Sequence, residues 1–597
     1  MDISVQRTEL FFTDMHLLFQ PQENIGTHNF TDQWRAVSYE TTDYSGTMLA
    51  CNGGSPEDVT FSPNLTGWYK IYLSAPCGSV LSVKLSGDES FLSVSTTNKW
   101  MRIMEEFLWR CADMTGQSIV LTKKTEALPR HAMLAAIRFV PMSDQEVEQM
   151  RQDAARTDTK RIYATNDMHC RLYAAQMYDY PDWHAVVHGY NNSDVEWISL
   201  EQVRSFVADN MTPDVFERFC FPRPGDRNVQ ESFPRFDYNR VLKECVAIGH
   251  REGFRMSISL RMGAWGMGYP ADQSYFDCKF MQDHPELRTI DRNGDEISAL
   301  SYAYPEVRRY MIDELLNMAR SGCDAVALIA HRGVPYVLFE KPVADRFFAL
   351  YGEYPYELPL ADPRLHQLHC QIMTEFFRDA RQALDEEFGK GKVQIHLRAL
   401  FSPFDTDVIG IDTEQLAREG LVDAIISYPL RIYEELGGDI WQPGKEYRID
   451  LRKYTEYVRH IPEPITYRGD FDFKEPYKNY RGELCGPASQ QERVQQWMQL
   501  EKDYGVKIYL EILPRWMTPE EYKRRALEFY SYGAERIALW DTYCRLPVKA
   551  EWNFASKLGH KEELASMDTG EGELYRHTKI CRLAGYDISR YHPSWGG

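Results

Sequence analysis

The residue with the strongest claim to chemistry is a glutamate at the end of an apolar strand. The stretch Lys507–Trp516 reads KIYLEILPRW, and its apolar run delivers Glu511 to the C-terminal end, just before Pro514. An ionised carboxylate on such a strand costs several kcal/mol of desolvation unless it is paired or faces a cleft. Glu511 is therefore a candidate catalytic carboxylate. The structural alternative is a salt bridge to Arg515 or to an arginine at another strand end.

The strand that carries Glu511 belongs to a repeated unit: a β-branched run, a polar residue at its end, and then an amphipathic helix. Eight such runs are Arg161–Asp167, Val215–Pro222, Arg255–Arg261, Ala325–Arg332, Val393–Leu400, Ala424–Pro429, Lys507–Leu513 and Arg536–Tyr543. Strands separated by helices imply right-handed crossovers and a parallel sheet, and eight such units close into a barrel. The predicted fold class is α/β, with a (β/α)8 TIM barrel.

Active sites of this fold lie at the C-terminal ends of the strands. That rule selects the polar residues at the ends of the runs, namely Asp167, Arg223, Arg261, His331, Arg332, Arg398, Glu511 and Asp541. Arginine recognises carboxylate or sulfate in bidentate geometry, so the arginines favour an anionic ligand. Alternatively, they neutralise catalytic carboxylates.

Aromatic residues make up 13% of the chain, and aromatic rings stack on sugars as well as on one another. We therefore assign Trp540, Trp516 and Tyr190 to substrate binding as stacking platforms, with Asp541 and Asn191 as polar neighbours. Ordinary core packing accounts for the aromatic content equally well.

Residues 1–150 follow a different pattern. Short alternating runs, separated by Gly, Ser, Pro and Asn turns, are Trp68–Leu73, Val80–Leu85, Ser118–Leu121 and Ala135–Val140. This pattern predicts an antiparallel β-sandwich. The charged stretch Ser143–Lys160 predicts a helical linker, followed by the barrel over 151–560. Residues 561–597 are expected to pack on the barrel as a C-terminal extension, because Tyr575 and Trp595 are too apolar for a free tail.

Charge and targeting signals narrow the partners. The 68 basic and 88 acidic residues give a net charge of −20, and the sequence contains no cluster of basic residues. Nucleic acid is therefore not an expected partner. The chain shows no signal-peptide pattern and no apolar run of membrane-spanning length. We therefore predict a cytoplasmic protein without a membrane partner, and a homo-oligomer remains an open possibility.

Cofactor motifs are missing from the sequence. The 12 cysteines lack paired C-x-x-C spacing and are interpreted as reduced thiols. Asp167 and His169 have metal-ligand chemistry, but no second motif accompanies them, so they are assigned to sugar hydroxyls rather than metal. Glycine-rich stretches lack the strand and helix context of nucleotide sites. We expect neither cofactor nor metal.

Several motifs resemble the family-10-like glycosyl hydrolase group of bacterial glycosidases, which join a carbohydrate-binding-like sandwich to a (β/α)8 barrel. The motifs are Phe61–Leu73, Leu81–Phe91, Ile137–Val147, Ser301–Arg308, His331–Val343 and Leu539–Thr542. The resemblance covers nearly the whole chain and says little about the substrate. The fourth strand ends IAHRG where many relatives carry an aspartate.

The resemblance implies a glycoside hydrolase that cleaves an O-glycosidic bond in an oligosaccharide or glycoside. Such enzymes use two carboxyls, and large clans of retaining barrel glycosidases place them after strands four and seven. By this analogy, Glu340 is the general acid/base and Glu511 the nucleophile. Two alternatives stay open: a lyase acting on an anionic sugar, and a catalytically inactive barrel that binds glycan. For Glu340 itself, a loop salt bridge is the structural alternative.

Overall fold

The computed structural model contains a closed barrel and a separate antiparallel sandwich. It describes residues 8–588 except for 29–31, 53, 55, 98–101, 124–130, 169–178, 203–237, 264–277, 332–334, 359–361, 429–476, 479–483, 486–488, 513–516 and 541–547. The predicted fold class is confirmed.

Eight parallel strands form the barrel. In order they are Ile162–Asp167, Val195–Gln202, Arg255–Arg261, Ala325–Ile329, Gln394–Ala399, Ala424–Ser427, Lys507–Glu511 and Ile537–Trp540. The eighth strand pairs with the first, which closes the sheet. We refer to them as barrel strands one to eight.

The second barrel strand is not where the sequence predicted it. Val195–Gln202 pairs with both the first and the third strand, so it occupies the place assigned to Val215–Pro222. That run and Arg223 lie outside the described residues. Val195–Gln202 reads VEWISLEQ, in which two glutamates and a serine dilute the apolar signal of a buried strand. The other seven predicted runs each contain a barrel strand.

Helices connect the strands and cover the barrel. They are Tyr180–His188, Tyr238–Arg251, Lys279–Asp283, Pro305–Ala319, Lys341–Tyr351, Pro363–Phe388, Pro403–Val408, Thr413–Arg418, Gln490–Tyr504, Pro519–Ser531 and Lys549–Ala555. Short polar caps start several of them. The hydroxyl of Thr518, for example, accepts the N–H of Glu521. A hairpin of Arg288–Ile290 and Glu296–Leu300 follows the third barrel strand.

Aromatic and small side chains fill the barrel interior below the strand ends. The Tyr163 hydroxyl lies 2.7 Å from Oγ of Ser257 and 3.2 Å from Nδ1 of His396, and the Trp197 ring meets the His396 ring edge-on at 4.5 Å. Burial lowers the pKa of His396 to about 3, so this imidazole is neutral at physiological pH. This layer is therefore an uncharged floor.

The sandwich consists of two antiparallel sheets. The larger has its main strands in the order Leu10–Phe12, Ala136–Pro141, Trp68–Pro76, Ile103–Asp113, Tyr575–Leu583, Trp34–Thr41, Ser45–Asn52 and His131–Leu134. The two-residue strands Ile25–Gly26 and Tyr586–Asp587 pair onto it. The smaller sheet has the order Val59–Phe61, Ile119–Thr122, Val80–Leu85 and Leu92–Ser95. Residues such as Ile71, Phe107 and Leu121 form the core between them.

The C-terminal extension was expected to pack on the barrel, and this is wrong for its main strand. Tyr575–Leu583 lies inside the larger sandwich sheet, where it pairs with Ile103–Asp113 on one side and Trp34–Thr41 on the other. Leu564, earlier in the extension, belongs to the barrel core. The apolar residues of the tail are therefore buried mainly by completing the sandwich.

The sandwich also contacts the end of the barrel domain. Ala550, on the helix Lys549–Ala555, lies in the sandwich core, and Asn553 donates to the carbonyl of Leu108 at 2.7 Å. The helix Asp144–Ala154 leads from the sandwich to the first barrel strand.

Within the described ranges, none of the helices has both the length and the apolar character that crossing a bilayer requires.

The buried C-terminal strand generates a stability prediction. Ile580 is fully buried, whereas its neighbour Lys579 is exposed. We expect Ile580→Ala to lower the free energy of unfolding by about 2–5 kcal/mol, because it removes buried methyl groups and leaves a cavity. Lys579→Ala, the matched control, should change it by less than about 0.5 kcal/mol. Urea denaturation followed by circular dichroism measures both, and equal effects would contradict a central position of this strand.

Candidate active site

The ends of the barrel strands carry the charged side chains of the interior. Side chains alternate along a strand, so residues two positions apart share a face. Tyr163 points into the barrel, and the same parity directs Thr165 and Asp167 inward at the end of strand one. By the same rule the inward residues near the other strand ends include Glu201, Arg261, Arg398, Glu511 and Trp540.

Arg398 and Glu511 form the central contact. The guanidinium of Arg398, on strand five, donates from one nitrogen to Oε2 of Glu511 on strand seven. It donates from the other nitrogen to the hydroxyl of Thr165 on strand one. The side chains of Arg398 and Glu511 are 3% and 0% exposed, so the pair is withdrawn from water. The alternative of an end-of-strand ion pair for Glu511 is therefore realised, and its partner is an arginine that the sequence placed at the site.

Aromatic rings surround this ion pair. The Arg398 guanidinium lies 4.3 Å from the ring centroid of Trp540, a cation–π distance. His331 stacks on Tyr428 with centroids 4.1 Å apart and planes at 6°, and it meets Trp540 edge-on at 5.1 Å. We call Thr165, His331, Arg398, Tyr428, Glu511 and Trp540 the Glu511 cluster. It joins strands one, five, seven and eight with the residues that follow strands four and six.

A second ion pair lies on strands two and three. Nε of Arg261 donates to Oε1 of Glu201 at 2.5 Å, and the Glu201 side chain is fully buried. Glu201 is directly opposite Asp167 in the register of strands one and two. The sequence analysis missed Glu201 because it misplaced strand two. The signal was available, since VEWISLEQ carries a carboxylate one residue before its end, much as KIYLE ends in one.

Glu340, the predicted acid/base, lies beside the hairpin that follows strand three. Its carboxylate accepts the N–H of Leu338 at 3.0 Å and the N–H of Ile290 at 3.3 Å. Burial raises its pKa to about 7 despite these donors and a hydroxyl contact from Ser301. Such a pKa suits proton transfer near neutrality. The described contacts of Glu340 do not include the Glu511 cluster.

Tyr190 and Asn191 are not brought to this site. They precede strand two, so they lie at its N-terminal end, opposite the strand ends that carry Glu511. Tyr190 packs against Trp552 at 5.6 Å, and Asn191 lines a cavity of ≈ 390 Å³ beside the sandwich. Their assignment to the substrate site is wrong in location. The predicted residues Arg332, Trp516 and Asp541 lie outside the described residues.

Groups of side chains that could hold a metal occur away from the Glu511 cluster. In the described part of the chain they are Cys77 with Glu105 and His577, His184 with His188 and Glu252, and His366 with Cys370 and Asp407. None of these residues is in the Glu511 cluster. The cluster itself offers a carboxylate, a guanidinium, two hydroxyls and three aromatic rings. This set can bind a polar ring and supply a nucleophilic or basic carboxylate.

Comparisons with known proteins give a distant likeness. No protein-family model matches the chain, and no curated protein matches it. The glycoside hydrolase domain of PelA from Pseudomonas aeruginosa is 11% identical over 59% of this chain and 90% of that one, with a TM-score of 0.26. The GH26-CBM35 β-(1,4)-mannanase of Podospora anserina is 10% identical over 92% and 95%, with a TM-score of 0.27. The α-galactosidase TtGalA of Thermus thermophilus is 10% identical over 88% and 99%, with a TM-score of 0.31. TM-scores this low carry no argument, so the function is argued from the site.

The buried ion pair can be tested by a double-mutant cycle. Arg398→Met should lower the free energy of unfolding by about 3–5 kcal/mol, because it leaves the Glu511 carboxylate buried without its cation. Adding Glu511→Gln should restore part of that loss, with a coupling energy of at least about 1 kcal/mol. The exposed pair of Arg320 and Glu387, 2.7 Å apart, is the matched control and should show a coupling of less than about 1 kcal/mol. Additive effects at Arg398 and Glu511 would contradict the pairing.

Glu340 should make stability depend on pH. Its pKa is about 7 in the folded chain against an ordinary 4.5, so the folded state keeps a proton that the unfolded state loses between these values. Stability should therefore fall as pH rises from about 4.5 through 7, by a total of about 3 kcal/mol. Glu340→Gln cannot ionise and should flatten this fall. Urea denaturation at pH 5 and pH 8 measures the difference. Identical pH dependence in wild type and variant would show that Glu340 does not titrate in this range.

Proposed function

We propose that the protein is a glycoside hydrolase that cleaves an O-glycosidic bond in an oligosaccharide or glycoside. The observation that carries the proposal is Glu511, a buried carboxylate held by Arg398 among aromatic rings at the active-site end of the barrel. Oriented carboxylates are the catalytic groups of most glycosidases. Aromatic faces such as Trp540 and Tyr428 suit the apolar face of a sugar ring.

Glu511 acts in this proposal as the nucleophile of a retaining mechanism. Its carboxylate attacks the anomeric carbon while a second carboxyl protonates the departing oxygen, and water then releases the sugar from the glycosyl-enzyme. The bond from Arg398 fixes the carboxylate orientation by occupying Oε2. A fixed nucleophile loses little entropy on reaching the attacking geometry.

Two glutamates compete for the role of general acid/base. Glu340 has the raised pKa that protonation of a leaving group requires. Glu201 lies at the end of strand two, next to Asp167, and the alternation of side chains along the strand directs it into the barrel. The sequence-based proposal of Glu340 is retained, and Glu201 is the alternative that the geometry supplies.

The lyase alternative receives less support from the charges. A lyase needs a cation that binds the substrate's uronate carboxylate. Arg398 already donates to Glu511, and Arg261 already donates to Glu201, so each of these arginines has a carboxylate of the protein as partner. These contacts fit arginines that neutralise carboxylates of the protein better than arginines that recognise an anionic ligand.

Hydrolysis of a panel of aryl glycosides tests the proposal. Wild-type protein should release reducing sugars from at least one neutral, amino or acidic member, and Glu511→Gln should abolish turnover on every member. Glu387→Gln removes an arginine-paired glutamate on the surface and should leave turnover unchanged. An unsaturated product absorbing in the ultraviolet would instead identify a lyase. Glycan binding without any product, both on the aryl glycosides and on a parallel set of natural polysaccharides, would identify a binding protein.

Leaving-group dependence distinguishes the two acid/base candidates. The variant of the true acid/base, Glu340→Gln or Glu201→Gln, should have a kcat about 10²–10⁴-fold lower on glycosides with poor leaving groups, because the leaving oxygen is no longer protonated. On glycosides with good leaving groups, the same variant should keep most of its kcat. The other variant should affect both substrate classes equally. Equal losses in both variants would remove both glutamates from the role, and Asp167 would then be the next carboxylate to test.

A further inference from the structure

A cluster of two histidines and a glutamate lies where the barrel helices meet the sandwich. His184 and His188 are one turn apart on the helix Tyr180–His188, and Glu252 follows the helix Tyr238–Arg251. Nε2 of His184 lies 3.0 Å from Oε1 of Glu252, and Nδ1 of His188 lies 3.3 Å from the same oxygen. The three ligand-type atoms converge on one point, and all lie within 4.8 Å of one another. We call these residues the His–Glu cluster.

The spacing of these atoms fits a tetrahedral metal site. Zinc binds imidazole nitrogen and carboxylate oxygen at about 2.0–2.2 Å, which places neighbouring ligand atoms of a tetrahedron roughly 3.3 Å apart. The two nitrogen–oxygen distances, 3.0 and 3.3 Å, lie just below this value and at it. Two histidines and one carboxylate are also a ligand set that divalent transition metals prefer.

The surroundings orient the ligands as a metal site does. Nδ1 of His184 lies 2.7 Å from the hydroxyl of Ser90, a residue of the sandwich, so its Nε2 is the atom that faces Glu252. Metal-binding histidines generally use their second nitrogen in such a contact. Oε2 of Glu89, also in the sandwich, is 3.9 Å from Nε2 of His184 and accepts the hydroxyl of Tyr180, so it adds negative charge beside the cluster.

The local charge favours a cation. Glu252 and Glu89 place two carboxylates beside the histidines. The Arg251 guanidinium lies 3.7 Å from Glu252 and 3.6 Å from Glu89. Two carboxylates against one guanidinium leave a net negative charge. His188 lines the ≈ 390 Å³ cavity beside the sandwich, which provides a path for an ion to enter.

A comparable cluster elsewhere is less suited to a metal. In the group of His366, Cys370 and Asp407, Nε2 of His366 lies 2.8 Å from the backbone carbonyl of Asp407. A carbonyl can only accept, so this nitrogen carries a hydrogen and has no lone pair for an ion. In the His–Glu cluster, Nδ1 of His188 lies 2.9 Å from Nδ2 of Asn191, an amide nitrogen that only donates, so this ring nitrogen carries a lone pair rather than a hydrogen.

We propose that His184, His188 and Glu252 bind one divalent transition metal ion of the zinc class, with the fourth position left to solvent. The ion joins two barrel helices beside the sandwich, whose Ser90 hydroxyl holds the imidazole of His184. This site is independent of the proposed glycosidase chemistry, whose residues lie at the ends of the barrel strands.

Metal binding to the full chain tests the proposal. Protein stripped with a chelator and dialysed should bind one equivalent of Zn²⁺ by calorimetry, and Zn²⁺ should raise its melting temperature. Co²⁺ in the same site should give the visible absorption of a tetrahedral complex. His188→Ala and Glu252→Gln should each weaken Zn²⁺ binding by at least roughly tenfold, as lost ligands do. Glu89→Gln, at a side chain that is 53% exposed, removes only a nearby negative charge and should weaken Zn²⁺ binding less than either ligand variant.

Two controls separate this site from others. His250 is a surface histidine bonded to Asp324, 2.9 Å away, so His250→Ala should leave Zn²⁺ binding unchanged. Cys370→Ser should also leave it unchanged. X-ray absorption of zinc-loaded wild-type protein needs no variant and should show two imidazoles and oxygen around the ion. Absence of saturable binding up to about 1 mM, the weakest affinity range of protein cation sites, would overturn the proposal. Sulfur coordination, or binding that survives in both His188→Ala and Glu252→Gln, would overturn it as well.

Discussion

Charged groups inside the barrel must find partners there, and this constraint organises the site. An unpaired ion withdrawn from water costs several kcal/mol, far more than a surface ion. Arg398 meets it by bonding to Glu511 and Thr165, and Arg261 by bonding to Glu201. Each contact crosses between strands, so the charges also fix side-chain orientations over the neutral floor of Tyr163 and His396. The barrel interior thus consists of a charged layer at the strand ends above an uncharged, packed layer.

Two buried glutamates show two solutions to the same problem. Glu511 faces a full positive charge, whereas Glu340 receives only backbone N–H groups and a hydroxyl. Partial charges compensate for lost water less completely than a cation does, so burial still raises the pKa of Glu340. A retaining glycosidase needs one carboxyl that is always ionised and one that exchanges a proton. Glu511 and Glu340 differ in their partners, and a difference of this kind sets the pKa values of two carboxyls apart, as those two roles require.

Local patterns in the sequence predicted most of the barrel and part of the site. Apolar, β-branched runs identified seven strands, and their polar ends identified Glu511, Arg398, Arg261 and His331, because strand ends converge in a closed parallel barrel. Strand two was missed because its inward side lines a polar site, so Ser199 and Glu201 replaced apolar residues. Tyr190 and Asn191 were assigned to the wrong end of the barrel as a consequence. They come directly before the actual strand two, but far before the strand that was predicted at Val215–Pro222. Pairings across the whole chain, such as Tyr575–Leu583 with Ile103–Asp113, leave no local signal at all.

The position of Tyr575–Leu583 has a consequence for how the chain is made. A ribosome synthesises the strands on both sides of this position hundreds of residues before it reaches the strand that separates them. Until then, Ile103–Asp113 and Trp34–Thr41 each present an unpaired edge, and such edges recruit strands from other chains. The sandwich is therefore completed only after the barrel strands have been synthesised, and its folding depends on rapid capture of Tyr575–Leu583. On a polysome, neighbouring nascent chains carry the same unpaired strand edges close together. Aggregation is therefore most favoured there, before Tyr575–Leu583 is synthesised.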